Sequence, residues 1–209
     1  MRDGRTRLFR PRFHPAVACA AVGSVVVTAV LGARYAGSST GPPVPRLDGY
    51  GWLVEAVVAI GSPVAVTILT VLMVVGLAVA RWPRAAVLAA LAAPVASALT
   101  ELVLKPLVGR TRGGSLAYPS GHTTGIFAVV TVVVVLLTAV PAGRLRTRTR
   151  VWAGCAAVAV AVSVAAASVV VGDHYVTDTV GGACVAVATV LCLGVAIDAV
   201  ADRRGPRQK

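Results

Sequence analysis

Long apolar runs, separated by short segments that carry arginine, constrain this chain more than any other feature. Six such runs occupy about residues 15–31, 54–80, 85–104, 122–140, 151–171 and 175–200. Each is near or above the length a helix needs to cross a hydrocarbon core of about 30 Å. Backbone polar groups find no water in that core, so a run of this kind must satisfy them internally, as a helix does. The expected fold is therefore all-α, a polytopic six-helix transmembrane bundle. The chain is 57% hydrophobic and 13% charged, against roughly 45–50% and 25% for a soluble domain. No polar stretch is long enough to fold separately. One membrane domain is expected over 15–200, between a basic N-terminus at 1–14 and a basic tail at 201–209.

The net charge of +12 could suggest a nucleic-acid partner, but the position of the charges argues against one. Most arginines lie between apolar runs, where they act as topology signals. Six spans put both termini on one side. With the termini in the cytoplasm, the inner segments hold fifteen Lys/Arg residues and the outer ones five: Arg34, Arg46, Lys105, Arg110 and Arg112. The expected location is the cell membrane, with membrane lipids as neighbours. All four tyrosines, Tyr35, Tyr50, Tyr118 and Tyr175, fall near the outer interface, where amphipathic rings anchor. A cleaved signal peptide competes for the first run, yet Arg34 and Tyr35 interrupt the place where a small-residue cleavage site would stand. Gly61-Ser62-Pro63 divides the second run into a short outer helix and the span proper. Cys19, Cys155, Cys184 and Cys192 all lie within apolar runs with no C-x-x-C pair, and are read as packing residues.

The polar residues that remain cluster at the outer face. Lys105, Arg110 and Arg112 follow the third span, Ser120 and His122 open the fourth, and Asp173, His174 and Asp178 stand between the fifth and sixth. Lys105 and Arg112 offer fixed positive charge, Arg as a planar donor fork suited to phosphate oxygens. Ser120-Gly121-His122 stands at a helix start, where free N–H groups and the macrodipole favour an anion. His174 and Asp178 are four apart and share a helical face, so the carboxylate can hold the imidazole in one tautomer. Together these groups describe phosphoryl transfer through a phosphohistidine.

In these residues the chain resembles the type 2 phosphatidic-acid phosphatase superfamily, whose motifs read Lys-x6-Arg-Pro, Pro-Ser-Gly-His and Ser-Arg-x5-His-x3-Asp. The first appears here from Lys105 to Arg112. The second is complete as Pro119-Ser120-Gly121-His122, and the third ends intact as His174 to Asp178. A given tetrapeptide arises by chance in roughly one chain of this length per thousand, and the flanking motifs in order make coincidence rarer still. The resemblance covers residues 85–200, the expected catalytic core. It implies His174 as nucleophile, Asp178 as its orienting partner and His122 as general acid for the leaving lipid alkoxide. It also implies Lys105, Arg112, Ser120 and the Gly121 amide as phosphate ligands. The implied substrate is a lipid phosphate or pyrophosphate. No cofactor or metal is implied, and two histidines with scattered acids make no zinc set.

Two departures stand out. Gly113 replaces the first motif's proline, a change expected to affect loop stiffness only. Ala167-Ser168 stands where Ser-Arg is expected, so one phosphate-binding arginine is missing. Losing one electrostatic donor typically costs ~10²–10³ in rate, and Arg110 is the expected substitute for that charge. Glu101 is expected to pair with Lys105 one turn away, and Asp173 is read as a helix-start acid. His14 carries no assigned role. Two other classes stand beside the phosphatase. A lapsed relative that binds lipid phosphate or a partner is favoured by Ser168. A small transporter is favoured by Glu101 and the interrupted second span.

Overall fold

The computed structural model describes residues 7–41, 51–140 and 145–204. Its helices are α1 (His14–Arg34), α2 (Trp52–Ile60), α3 (Pro63–Val79), α4 (Pro83–Ala98), α5 (Lys105–Val108), α6 (Gly121–Ala139), α7 (Thr147–Val170) and α8 (Val176–Arg204). A π-helical segment, Leu99–Leu104, joins α4 to α5. Two short strands, β1 (Thr111–Arg112) and β2 (Ser115–Leu116), form a hairpin. Among the described residues five helical stretches are long and apolar enough to cross a membrane, and a sixth arises if α2 and α3 count as one span. The all-α membrane bundle is as expected. Arg46 and Tyr50, given to the outer loop, lie outside the described residues, as do Arg2, Arg5, Arg144, Arg207 and Lys209.

The second span is broken where Gly61-Ser62-Pro63 suggested. Helix α2 stops at Ile60, and α3 leaves at an angle of 49°. Ser62 caps α3 by accepting from the Ala65 N–H at 3.3 Å, and Pro63 follows at the first helical position, where its missing N–H costs nothing. Gly61 is obligatory at the bend, since a Cβ there would stand 2.5 Å from Cγ1 of Val164 on α7.

The bundle is organised around α6, whose first half is almost entirely buried. Helix α4 approaches it with one small-residue stripe. Ala85, Leu88, Ala89, Ala92, Ala93 and Ala96 recur every three or four residues and are all buried. In lipid, where burial of apolar surface gives no gain between helices, small side chains let backbones close in and gather dispersion contacts. Helix α1 packs along α8 and otherwise faces outward.

At one end of the bundle the chain is laced together. Asp198 of α8 accepts from the Leu8 and Phe9 N–H groups at 3.1 and 2.9 Å and from Arg84 at 3.0 Å. Asp202 takes Arg84 and Arg7, each at 2.9 Å. The start of the chain, the α3–α4 turn and the end of α8 thus share one end. The residues of the three motifs gather at the other.

Candidate active site

The first motif is shaped by two irregularities. The π turn widens the helix just before Lys105; such bulges are rare and concentrate at functional sites. Beyond α5 the chain enters the hairpin, in which Thr111 pairs with Leu116 and Arg112 with Ser115. Its turn is Gly113-Gly114, with φ of 55° and 83°. Positive φ at both central residues is the turn whose twist matches that of the strands. Gly113 therefore does more than alter loop stiffness. A proline, locked near φ −65°, could not occupy this position. The hairpin carries Arg112 to the third motif, where its Nη1 donates to the His174 carbonyl at 2.7 Å and its guanidinium stacks 4.2 Å from the Tyr175 ring centre.

The second motif starts α6. Ser120 is its N-cap, accepting from the Thr123 N–H at 3.3 Å, and is fully buried. Gly121 and His122, the next two residues, line the cleft. The Ser120 N–H donates to the Asp178 carbonyl at 3.0 Å, so the second and third motifs are joined through backbone. Gly181 and Gly182 of α8 allow this approach. A Cβ on Gly182 would stand 2.6 Å from the Ser120 carbonyl oxygen, and one on Gly181 would meet the Tyr118 ring at 2.5 Å. Tyr118 itself is buried and donates to the Thr28 carbonyl at 2.6 Å. Burial pushes its phenol well above the usual range, so it stays a donor.

The third motif fixes His174 on every side. Its N–H donates to the Ser168 carbonyl at 3.3 Å, its carbonyl accepts Arg112, and Nδ1 lies 3.1 Å from the Ala117 carbonyl. A carbonyl only accepts, so Nδ1 carries a proton, and in the neutral ring the lone pair is then on Nε2. Asp178 was the expected partner, but its Oδ2 is 3.9 Å from Nδ1, beyond hydrogen-bond length. The carboxylate accepts instead from the Tyr175 N–H at 2.9 Å and from Arg110 at 2.6 Å. The Tyr175 contact is the return half of a capping box at the start of α8.

Arg110 is held away from the cleft. Its side chain is fully buried, bonded to Asp178, Thr177 and the Thr40 carbonyl at 2.6, 2.6 and 3.0 Å. It lies 4.1 and 4.2 Å from the ring centres of Tyr35 and Tyr175. The expectation that it replaces the missing third-motif arginine meets this placement: its charge is matched by Asp178 and it lines no part of the cleft. Ser168, at the substituted position, donates back to the Val164 carbonyl at 2.9 Å within α7.

What these elements enclose is a cleft of about 780 Å³ lined by Lys105, Arg112, Gly121, His122 and His174, together with Glu101 and Asp173. Glu101 pairs with Lys105 at 2.8 Å, as its spacing suggested. Among the described residues no group of three or more His, Cys, Asp or Glu side chains could hold a metal ion. Ala117 and the Gly181-Gly182 pair are site-building residues that motif reasoning missed, and Gly113 was noted there without its turn role. A Gly-Gly between short polar stretches signals a hairpin, but nothing in sequence marks a backbone carbonyl as a partner.

The architecture has a counterpart among solved structures, a transmembrane PAP2-type phosphatidylglycerolphosphate phosphatase from Bacillus subtilis. The two superpose with a TM-score of 0.66 over 91% of this chain and 100% of that one, at 19% identity. At that identity the likeness speaks for the fold. No curated protein matches the chain in sequence. The profile of the PAP2 superfamily, however, matches residues 19–200, nearly the whole bundle and all three motifs, and the chain belongs to that superfamily.

Proposed function

We propose that this protein is a membrane phosphatase that hydrolyses lipid phosphate esters through a phosphohistidine, without a metal, in a cleft open to the outer face. Membership of the PAP2 superfamily supports phosphatase chemistry in a multi-pass membrane protein. The observation that carries the mechanism is the Ala117 carbonyl on His174 Nδ1. In the neutral ring it puts the lone pair on Nε2, in a cleft with Lys105, Arg112 and the start of α6, the groups a phosphoryl transition state requires.

In this reading Nε2 of His174 attacks phosphorus while Lys105, Arg112 and the Gly121 amide hold the equatorial oxygens. The bond to the leaving oxygen breaks, and His122, protonated, gives that oxygen its proton. Neutral His122 then takes a proton from water as the water attacks the phosphohistidine, releasing phosphate and regenerating both histidines.

A lipid substrate is supported by the continuation of the cleft. At Pro63, Val66 and Ser97 it meets a groove of about 550 Å³ between α3 and α4, lined with Val71, Val74 and Ala93. A head group in the cleft would place its acyl or prenyl chain there. The outward orientation is supported by the basic segments at the opposite end of the bundle, where Arg7, Arg84, Arg148 and Arg203 lie.

The test is phosphate release by purified protein from a panel of lipid phosphates with EDTA present. Vanadate should inhibit it, and His174→Ala should abolish it. Retained turnover in that variant overturns the mechanism. A folded wild type that binds phosphate but releases none from any ester would point instead to the lapsed relative that Ser168 favours.

A further inference from the structure

The cleft contains acids that catalysis by two histidines and two cations leaves unused. Glu101 projects from the π turn, with Oε2 2.8 Å from Lys105 Nζ. Its other oxygen lies against Gly121, so close that a Cβ there would collide with it. The carboxylate thus sits across the first turn of α6, a helix of 19 residues whose free N–H groups would otherwise face a phosphate. Asp173 is exposed at the cleft wall beside His174. Both carboxylates line the cleft with His122, the group that would protonate the leaving oxygen.

This placement sets two acids against the two cations of one cleft. The phosphoryl group being transferred would meet Lys105, Arg112 and the helix amides, where Glu101 already lies. His122, which would protonate the leaving oxygen, lines the same cleft as Glu101 and Asp173. The arginine that would have added a third cation is absent at Ser168. A monoester departs as an alcohol, neutral once protonated. A diphosphate departs as a phosphate carrying nearly two negative charges, set beside two carboxylates. Both acids are exposed, so solvent weakens the repulsion between like charges here without removing it.

We propose that Glu101, aided by Asp173, is a specificity-determining residue that makes this cleft take phosphomonoesters in preference to diphosphates. The inference rests on the phosphatase reading and narrows its substrate class. Glu101 does so in two ways, by engaging Lys105, which leaves less positive charge to balance a second phosphate, and by adding negative charge to the cleft that must hold it.

The experiment uses the full chain in detergent micelles, with farnesyl monophosphate and farnesyl diphosphate as substrates that share one tail. Wild type should favour the monophosphate in kcat/KM. Glu101→Gln, which keeps the shape and removes the charge, should raise the diphosphate-to-monophosphate ratio by about 10-fold. Asp173→Asn should shift it in the same direction and carries the test if Glu101→Gln does not fold. A wild-type preference for the diphosphate, or an unchanged ratio in a folded Glu101→Gln, overturns the proposal. Calorimetric titration with inorganic phosphate and pyrophosphate gives a readout that needs no turnover. If wild type hydrolyses neither ester, the phosphatase reading falls, and the titration alone decides this one. Pyrophosphate affinity that rises relative to phosphate in Glu101→Gln upholds it; unaltered relative affinity rejects it.

Discussion

Arg110 and Asp178 form an ion pair 2.6 Å long with both side chains sealed from solvent. Two residues apart in the first motif, Arg110 and Arg112 bring their guanidinium groups equally near the Tyr175 ring, yet only Arg112 borders the cleft. Removing one partner of a buried pair leaves an uncompensated charge and typically costs about 3–5 kcal/mol. Arg110→Ala should therefore lower thermal stability sharply in detergent, and Arg110→Lys should recover only part of it, lacking the planar fork. Were Arg110 a phosphate ligand, its loss would weaken phosphate binding and leave the melting temperature unmoved. Thermal unfolding alongside phosphate titration separates the two.

The histidines should fail differently. His174→Ala should remove turnover altogether with the fold intact. His122→Ala should slow both half-reactions by about 10²–10⁴-fold. Rapid-quench trapping of a phosphoenzyme from labelled substrate checks this. A labelled His174→Ala protein would move the nucleophile elsewhere.

Restoring the family's proline at Gly113 should harm the enzyme. The φ of 55° at this position excludes proline, so Gly113→Pro should unmake the hairpin turn and misaim Arg112. Loss of one such donor costs about 10²–10³ in rate. Gly113→Asn, a residue that tolerates positive φ, should retain most activity. Equal kcat/KM in wild type and Gly113→Pro would contradict the turn's role.

Gly182→Ala tests the closeness of α8 to the start of α6. Its Cβ would press on the Ser120 carbonyl oxygen at 2.6 Å, a backbone atom that cannot swing aside. Overpacking of this kind costs about 1–3 kcal/mol, and here it also pushes α8, which follows the turn bearing His174, away from the start of α6, which bears His122. A lowered melting temperature with a matching fall in kcat is expected; the same substitution at Gly23, which has open space around it, should change neither.

The spans, the break at Gly61-Ser62-Pro63 and the gathering of three motifs at one end were legible because each rests on a local signal. Apolar length, turn chemistry and helix-start residues are written in consecutive letters. The Lys105–Glu101 pair was legible for the same reason, being one helical turn. What escaped depends on distant chain. Arg110 and Arg112 look alike in sequence, and only the pocket made by Tyr35, Tyr175 and Asp178 tells them apart. The partner of His174 Nδ1 escaped because a main-chain oxygen has no residue type to betray it. The capping role of Ser120 was half visible: its place at a helix start was read, but not that its hydroxyl oxygen accepts from the Thr123 N–H.

The bond from Arg112 to the His174 carbonyl makes one mechanical unit of the guanidinium and the main chain of His174. Any ligand that draws the guanidinium toward itself also pulls on that main chain. If His174 attacks as proposed, head-group choice and chemical rate are yoked, and reshaping the hairpin to admit a different ester should retune the speed of the reaction as well.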